Sequence, residues 1–156
     1  MSPLDRYVDF MENVATYDLD TLGEILAEDI HFVDPFNDTV GKANYQAIIE
    51  DMRHQVTNLD INVISRAMVL DDGVDFREEL PSEEHSNALI RWRLSGNLNA
   101  FSGRPWQVEG CSAVSFDPQG LVREHLDYWD AAGQLYEGFP VIGRVFRCLR
   151  RKLATI

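Results

Sequence analysis

Positive charge is scarce in this chain. Fourteen Lys and Arg face 26 Asp and Glu across 156 residues, giving a formal net charge of −12. Nucleic-acid binding draws its affinity from Lys and Arg on phosphates, so this balance excludes nucleic acid as a partner. Neutral or cationic partners are favoured instead. Cysteine is scarcer still. Cys111 and Cys148 stand at no motif spacing and read as free, buried thiols in a reducing compartment. No apolar run approaches the roughly 20 residues needed to span a bilayer. The opening MSPLDRYVDFMENV is acidic and mixed, unlike a signal peptide. A cytoplasmic protein without stable membrane insertion is expected. No set of His, Cys and Asp has metal-ligand spacing, and there is no glycine-rich phosphate loop or nucleophile elbow. Neither a metal nor a cofactor is expected.

What is present suits a single domain over residues 1–156, with a core at about 4–137 and a helix at about 140–153. Hydrophobic content of 45% and aromatic content of 10% supply a core and the bulk to line a pocket. Ser2-Pro3 starts a helix whose stripe is Leu4, Tyr7, Val8, Met11 and Val14. Asp18 caps a second with Leu19, Leu22, Ile25 and Leu26. Ile30 to Val33 reads as a short strand stopped by Asp34-Pro35. A loop at Phe36 to Thr39 precedes a third helix from Gly41 to Gln55, with Tyr45, Ile48, Ile49 and Met52 on one side. The period then changes from 3.6 to 2. Strands are predicted at Asn58–Leu70, Asn87–Leu98, Pro105–Phe116 and Leu121–Asp130, and Asp71 to His85 is an acidic connection. The last strands are joined by the turn Asp117-Pro118-Gln119-Gly120. A final helix at Pro140–Thr155 carries an apolar stripe and a basic side. That side is a solvated face or a contact for an anionic partner.

Helices segregated from an antiparallel sheet make an α+β fold. A curved sheet wrapped by its N-terminal helices encloses a conical cavity, whose open end suits a ligand. The stretch from Gly120 to Gly138 is central. Alternation along its strand puts Arg123, His125, Asp127 and Trp129 on one face and Val122, Glu124, Leu126 and Tyr128 on the other. A base, an acid and an indole on one face suit a cavity wall. Trp106, Val108, Gly110, Ser112 and Val114 share the concave face of the preceding strand, with Gly110 marking a bulge or bend. Trp92, Trp106 and Trp129 line the cavity or fill the core. Asp34 is a general base with its acidity lowered by burial, or a turn-former. His125 and Asp127 are an oriented acid–base pair, or polar groups at a rim.

The order of elements and the runs RYVDFM, DLDTLGEILAEDIHFVDPF, GKANYQAIIEDM and VSFDPQGLVREHLDYWD resemble the nuclear transport factor 2-like superfamily. Within it, they resemble the branch of ketosteroid isomerase and SnoaL-like polyketide cyclases. The resemblance implies a cystatin-like cone, commonly a homodimer, with its pocket inside. Asp34-Pro35 matches the segment holding the isomerase base, and Arg6-Tyr7-Val8 is similar to the run holding its tyrosine donor. Ser112 falls where the isomerase has a second, carboxylic donor. Serine is a weaker stabiliser there, so steroid isomerisation is not implied. Leu126-Asp127-Tyr128-Trp129-Asp130 resembles the last strand of limonene epoxide hydrolase, but the second acid of that enzyme is missing. The expected function is binding of a small, largely apolar molecule with cofactor-independent acid–base chemistry of the isomerase, cyclase or hydrolase type. Asp34, His125 and Asp127 would be catalytic, and Tyr7, Phe36, Trp92, Trp106, Ser112 and Trp129 would bind the ligand. The alternative is a non-catalytic binding or dimerisation module.

Overall fold

The computed structural model describes residues 1–69, 86–139 and 141–154. The acidic connection at Asp71 to His85 therefore lies outside the described residues. Helix α1 (Pro3–Glu12) starts at a capping box: Asp5 N–H donates to Ser2 Oγ while the Asp5 carboxylate accepts from the Ser2 N–H. Its stripe buries Leu4, Tyr7, Val8 and Met11, and Phe10 with them. A 3-10 turn (Leu19–Glu24) capped by Asp18 follows. It is shorter than the expected helix, because Leu26 leaves it to open strand β1 (Leu26–Val33), where it pairs with Val122. That strand begins four residues earlier than the sequence suggested.

The expected loop contains a short strand, β2 (Asp38–Val40), paired antiparallel with β1. Helix α2 (Lys42–Gln55) then crosses the sheet, and β3 (Val56–Val69), β4 (Ser86–Leu98), β5 (Arg104–Phe116) and β6 (Val122–Tyr128) complete it. The order is β2-β1-β6-β5-β4-β3, curved and unclosed, an α+β architecture as expected. Every pairing is antiparallel except β1 with β6, which is parallel. That pairing seats a strand rich in charged residues, β6, beside β1, half of whose residues are buried. Ile30 and Val122 are wholly enclosed there.

Burial settles which face is inside. Ala88, Ile90, Trp92 and Leu94 of β4 point inward, as do Val108, Ser112 and Val114 of β5. Arg91 and Arg93 point outward and pair with Glu109. On β6 the expected alternation is broken at its start. Ser115 pairs with Glu124 but Phe116 pairs with Val122, so Arg123 is an extra residue in the ladder. This puts Val122 in the core and Arg123 outside, reversing both. Past the bulge, His125, Asp127 and Trp129 face inward as read from the sequence. Gly110 causes no bulge, since β4 and β5 stay in register through it. Its missing side chain makes room for an indole: a Cβ there would lie 2.5 Å from Trp92 Cζ2.

After β6, a helical turn α3 (Ala131–Gln134) leads to the terminal helix α4 (Ile142–Leu153). Arg150 pairs with both Asp130 and Glu137, holding α4 to the segment before it. Among the described residues no helix is long and apolar enough to cross a membrane. Both cysteines are free, but Cys148 is exposed on α4 and not buried as expected. Gly110→Ala should destabilise the protein by about 1–3 kcal/mol through overpacking against Trp92. A thermal melt checks this, and an unchanged midpoint would show that the indole moves aside freely.

Candidate functional site

Between the inner face of the sheet and the helices lies a cavity of about 300 Å³. Its wall is mostly apolar, with Phe10, Phe32, Ile49, Leu94 and Val108 among its members. Trp106 and Trp129 meet edge to face at 6.2 Å, and Phe36 packs on Trp129 at 5.5 Å. Trp92 lines it too. The expected aromatic residues are therefore gathered around one hollow.

A run of hydrogen bonds lies along its polar side. His125, only 3% exposed, must satisfy both ring nitrogens inside the protein. Its Nε2 meets Asp127 Oδ1 at 2.7 Å, and its Nδ1 meets the Tyr7 hydroxyl. The Tyr7 hydroxyl in turn lies 3.1 Å from the Tyr45 hydroxyl. On the far side, Ser112 Oγ donates to the same Asp127 oxygen at 2.5 Å and accepts from Trp92 Nε1 at 2.7 Å. The strand repeat alone leaves residues i and i+2 about 6.5–7 Å apart at the backbone. The side chains of His125 and Asp127 close that gap. Because a carboxylate oxygen only accepts, Nε2–H donates to Asp127. Nδ1 then accepts from Tyr7, which accepts from Tyr45. When the ring takes up a second proton at Nδ1 and keeps the one on Nε2, both hydroxyls turn round, and the Tyr45 hydrogen is released from the run. Hydroxyl groups both donate and accept, so His125 keeps its partners in either state.

Both bonds to Asp127 use Oδ1, and neither uses Oδ2. Asp127 lines the cavity, as do His125 and Tyr45. Tyr7 and Ser112 do not: both are 0% exposed and stand behind the wall, holding His125 and Asp127 in place. Asp34 also lines the cavity. Its Oδ1 accepts from the backbone of Phe36 at 2.7 Å and Asn37 at 2.6 Å, the turn-forming arrangement. Tyr45 was read as an ordinary member of a helical stripe. The signal that could have found it is its hydroxyl, which a buried tyrosine must satisfy. Asp51 and Gln55 of α2 were missed for the opposite reason, since polar residues late in a helix read as solvent-facing.

Burial pushes the Tyr7 phenol well above its usual range, with Tyr45 and the Asp127 charge adding to it. Burial raises Tyr45 too. Its bond to Tyr7 works the other way, while the Asp127 and Asp34 charges raise it further. Among the described residues, no group of three or more His, Cys, Asp or Glu is placed to hold a metal ion.

The SnoaL-like domain family matches residues 7–125 of this chain. Solved structures are similar over most of its length. A protein assigned to the SnoaL-like polyketide cyclases, from Jannaschia sp. CCS1, is 14% identical over 84% of this chain and 87% of its own, with a TM-score of 0.65. An epoxide hydrolase of M. tuberculosis, of the LEH-like type, is 17% identical over 97% and 94%, with a TM-score of 0.60. An NTF2-like protein of unknown function from Exiguobacterium sp. 255-15 is 17% identical over 83% and 98%, with a TM-score of 0.62. At such identities the likeness is one of fold. No curated protein matches the sequence.

The two phenols set an alkaline limit. An unfolded tyrosine ionises near pH 10, whereas these two stay protonated in the folded chain. Above that pH the folded state holds more protons than the unfolded one. Stability that is complete below about pH 10 therefore falls as the pH rises past it. Tyr7→Phe should cost about 1–3 kcal/mol at neutral pH by leaving His125 Nδ1 without its partner. It should also flatten the alkaline decline. Urea midpoints across this range check both effects, and parallel decline of wild type and variant would contradict the second.

Proposed function

The chain belongs to the SnoaL-like domain family, and from that premise we infer that it performs cofactor-independent proton transfer on a small, largely apolar molecule held in the cavity. The observation that carries this reading is the convergence of Ser112 and His125 on one oxygen of Asp127, beside an apolar hollow. Both imidazole nitrogens are engaged, so the lone pairs open to a ligand are those of Asp127 Oδ2. Asp127 is thus the general base, removing a proton from a carbon beside a carbonyl or from an attacking water. His125 orients it and stabilises its charge. With both nitrogens of His125 protonated, the freed Tyr45 hydroxyl is the donor for negative charge developing on the substrate oxygen. Tyr7 links the two. Asp34 lines the same cavity as a second carboxylate. The wall of Trp92, Trp106, Trp129 and Phe36 excludes water and holds the apolar body of the substrate.

This chemistry agrees with an isomerase, a cyclase or a hydrolase, and the similar structures include both a cyclase assignment and an epoxide hydrolase. The two-acid hydrolase arrangement has less support here, because Arg91 and Arg93 point away from Asp127. The reading also includes a homodimer formed through the outer face of the sheet. Ala67, Leu89, Ala113 and Leu126 are successive cross-strand neighbours there, an apolar row spanning four strands. Leu89 is 46% exposed.

A panel of apolar ketones, enones and epoxides sized to the cavity tests the chemistry. Asp127→Asn should lower turnover of any substrate found by about 10²–10⁴-fold while its binding persists. Unchanged turnover in that variant would remove Asp127 from the reaction. Sedimentation tests the dimer: wild type should run as a dimer and Leu89→Glu as a monomer, and a monomeric wild type would refute it.

A further inference from the structure

The cavity wall is unbalanced in charge. Among the described residues it carries three carboxylates, Asp34, Asp51 and Asp127, and no lysine or arginine. Two of these acids are engaged, Asp34 in its turn and Asp127 in the hydrogen-bond run. Asp51 differs from both. It lies exposed on α2 where that helix borders the cavity, and its carboxylate makes no hydrogen bond or ion pair among the described residues. Gln55, one helical turn on, lines the same side with its amide equally free. The rise of an α-helix places Asp51 about 9 Å along the axis from Tyr45. Ile48, Ile49 and Met52 line the cavity over that stretch of helix.

The hollow thus has two polar ends joined by an apolar wall. One end holds Asp127, His125 and Tyr45, and the other holds Asp51 and Gln55. The last carbonyls of α2 add partial negative charge at the second end. An anion entering such a cavity would lose its water against like charges with no cation to receive it. A cation would meet Asp51 and the indole faces further in.

We propose that the cavity takes an elongated apolar amine, with its ammonium group on Asp51 and Gln55 and its reacting part extended to Asp127, His125 and Tyr45. This rests on the cavity being the binding site and names the class of molecule it selects. Asp51 binds and orients the ligand, and takes no part in proton transfer.

Calorimetric titration with phenylbutylamine, phenylbutanol and phenylbutyrate, which share one apolar body and differ in charge, tests the proposal. The amine should bind at least about tenfold more tightly than the alcohol, and the carboxylate should not bind. Asp51→Asn, an exposed and unpaired position, should abolish the amine's advantage and leave alcohol binding unchanged. Equal or tighter binding of the alcohol by wild type would overturn the proposal while leaving the cavity as the site. So would an undiminished amine preference in Asp51→Asn. Binding of none of the three would count against the cavity itself and remove both readings.

Discussion

A histidine buried to 3% exposure cannot leave a ring nitrogen unbonded, and much of this structure meets that requirement. The two partners of His125 come from opposite sides of the fold. Asp127 lies on the same strand, while Tyr7 comes from α1 and is itself bonded to Tyr45 of α2. Both helices are thereby tied to the sheet at a polar point. Ser112 and Trp92 extend the run into β5 and β4. Five elements share one set of hydrogen bonds. An unmet bond would leave a buried polar group without water, at about 1–3 kcal/mol.

The same requirement shapes the candidate site. Once Oδ1 of Asp127 and both nitrogens of His125 are committed, the groups left unbonded on the polar side are Asp127 Oδ2 and, when His125 is doubly protonated, the hydrogen of the Tyr45 hydroxyl. The cavity stays open in part because Gly110 lets Trp92 lie flat against β5, where its indole nitrogen reaches Ser112. Packing and chemistry are therefore not separable here: the side chains that shape the hollow also hold the acid in place.

Much of this was legible in the residues. The period of 2 after Gln55 and the polar–aromatic alternation at His125, Asp127 and Trp129 placed the sheet and the central pair, whereas the inner face of the strand at Asn87–Leu98 could not be read. The resemblance placed the fold. What could not be read depends on pairing between distant segments. The β6 bulge that reverses Val122 and Arg123 arises from register with Phe116. The early start of β1 comes from a parallel ladder that local propensity opposes. Tyr7 and Ser112 were found as polar residues near the site, yet only tertiary geometry shows them behind the wall rather than on it. Asp34 offered two meanings in the sequence. Its carboxylate serves the turn while still bordering the cavity, so chain position alone could not separate them.

A ligand site in this fold requires the hollow to be open and occupied by something other than protein. Native mass spectrometry of protein purified gently, without organic extraction or heating, tests this most directly. The prediction is a bound small molecule that wild type retains and that is lost when the cavity is filled by Val108→Trp. A wild-type protein that carries nothing under these conditions, together with density showing Trp106 and Trp129 folded into the interior, would contradict it.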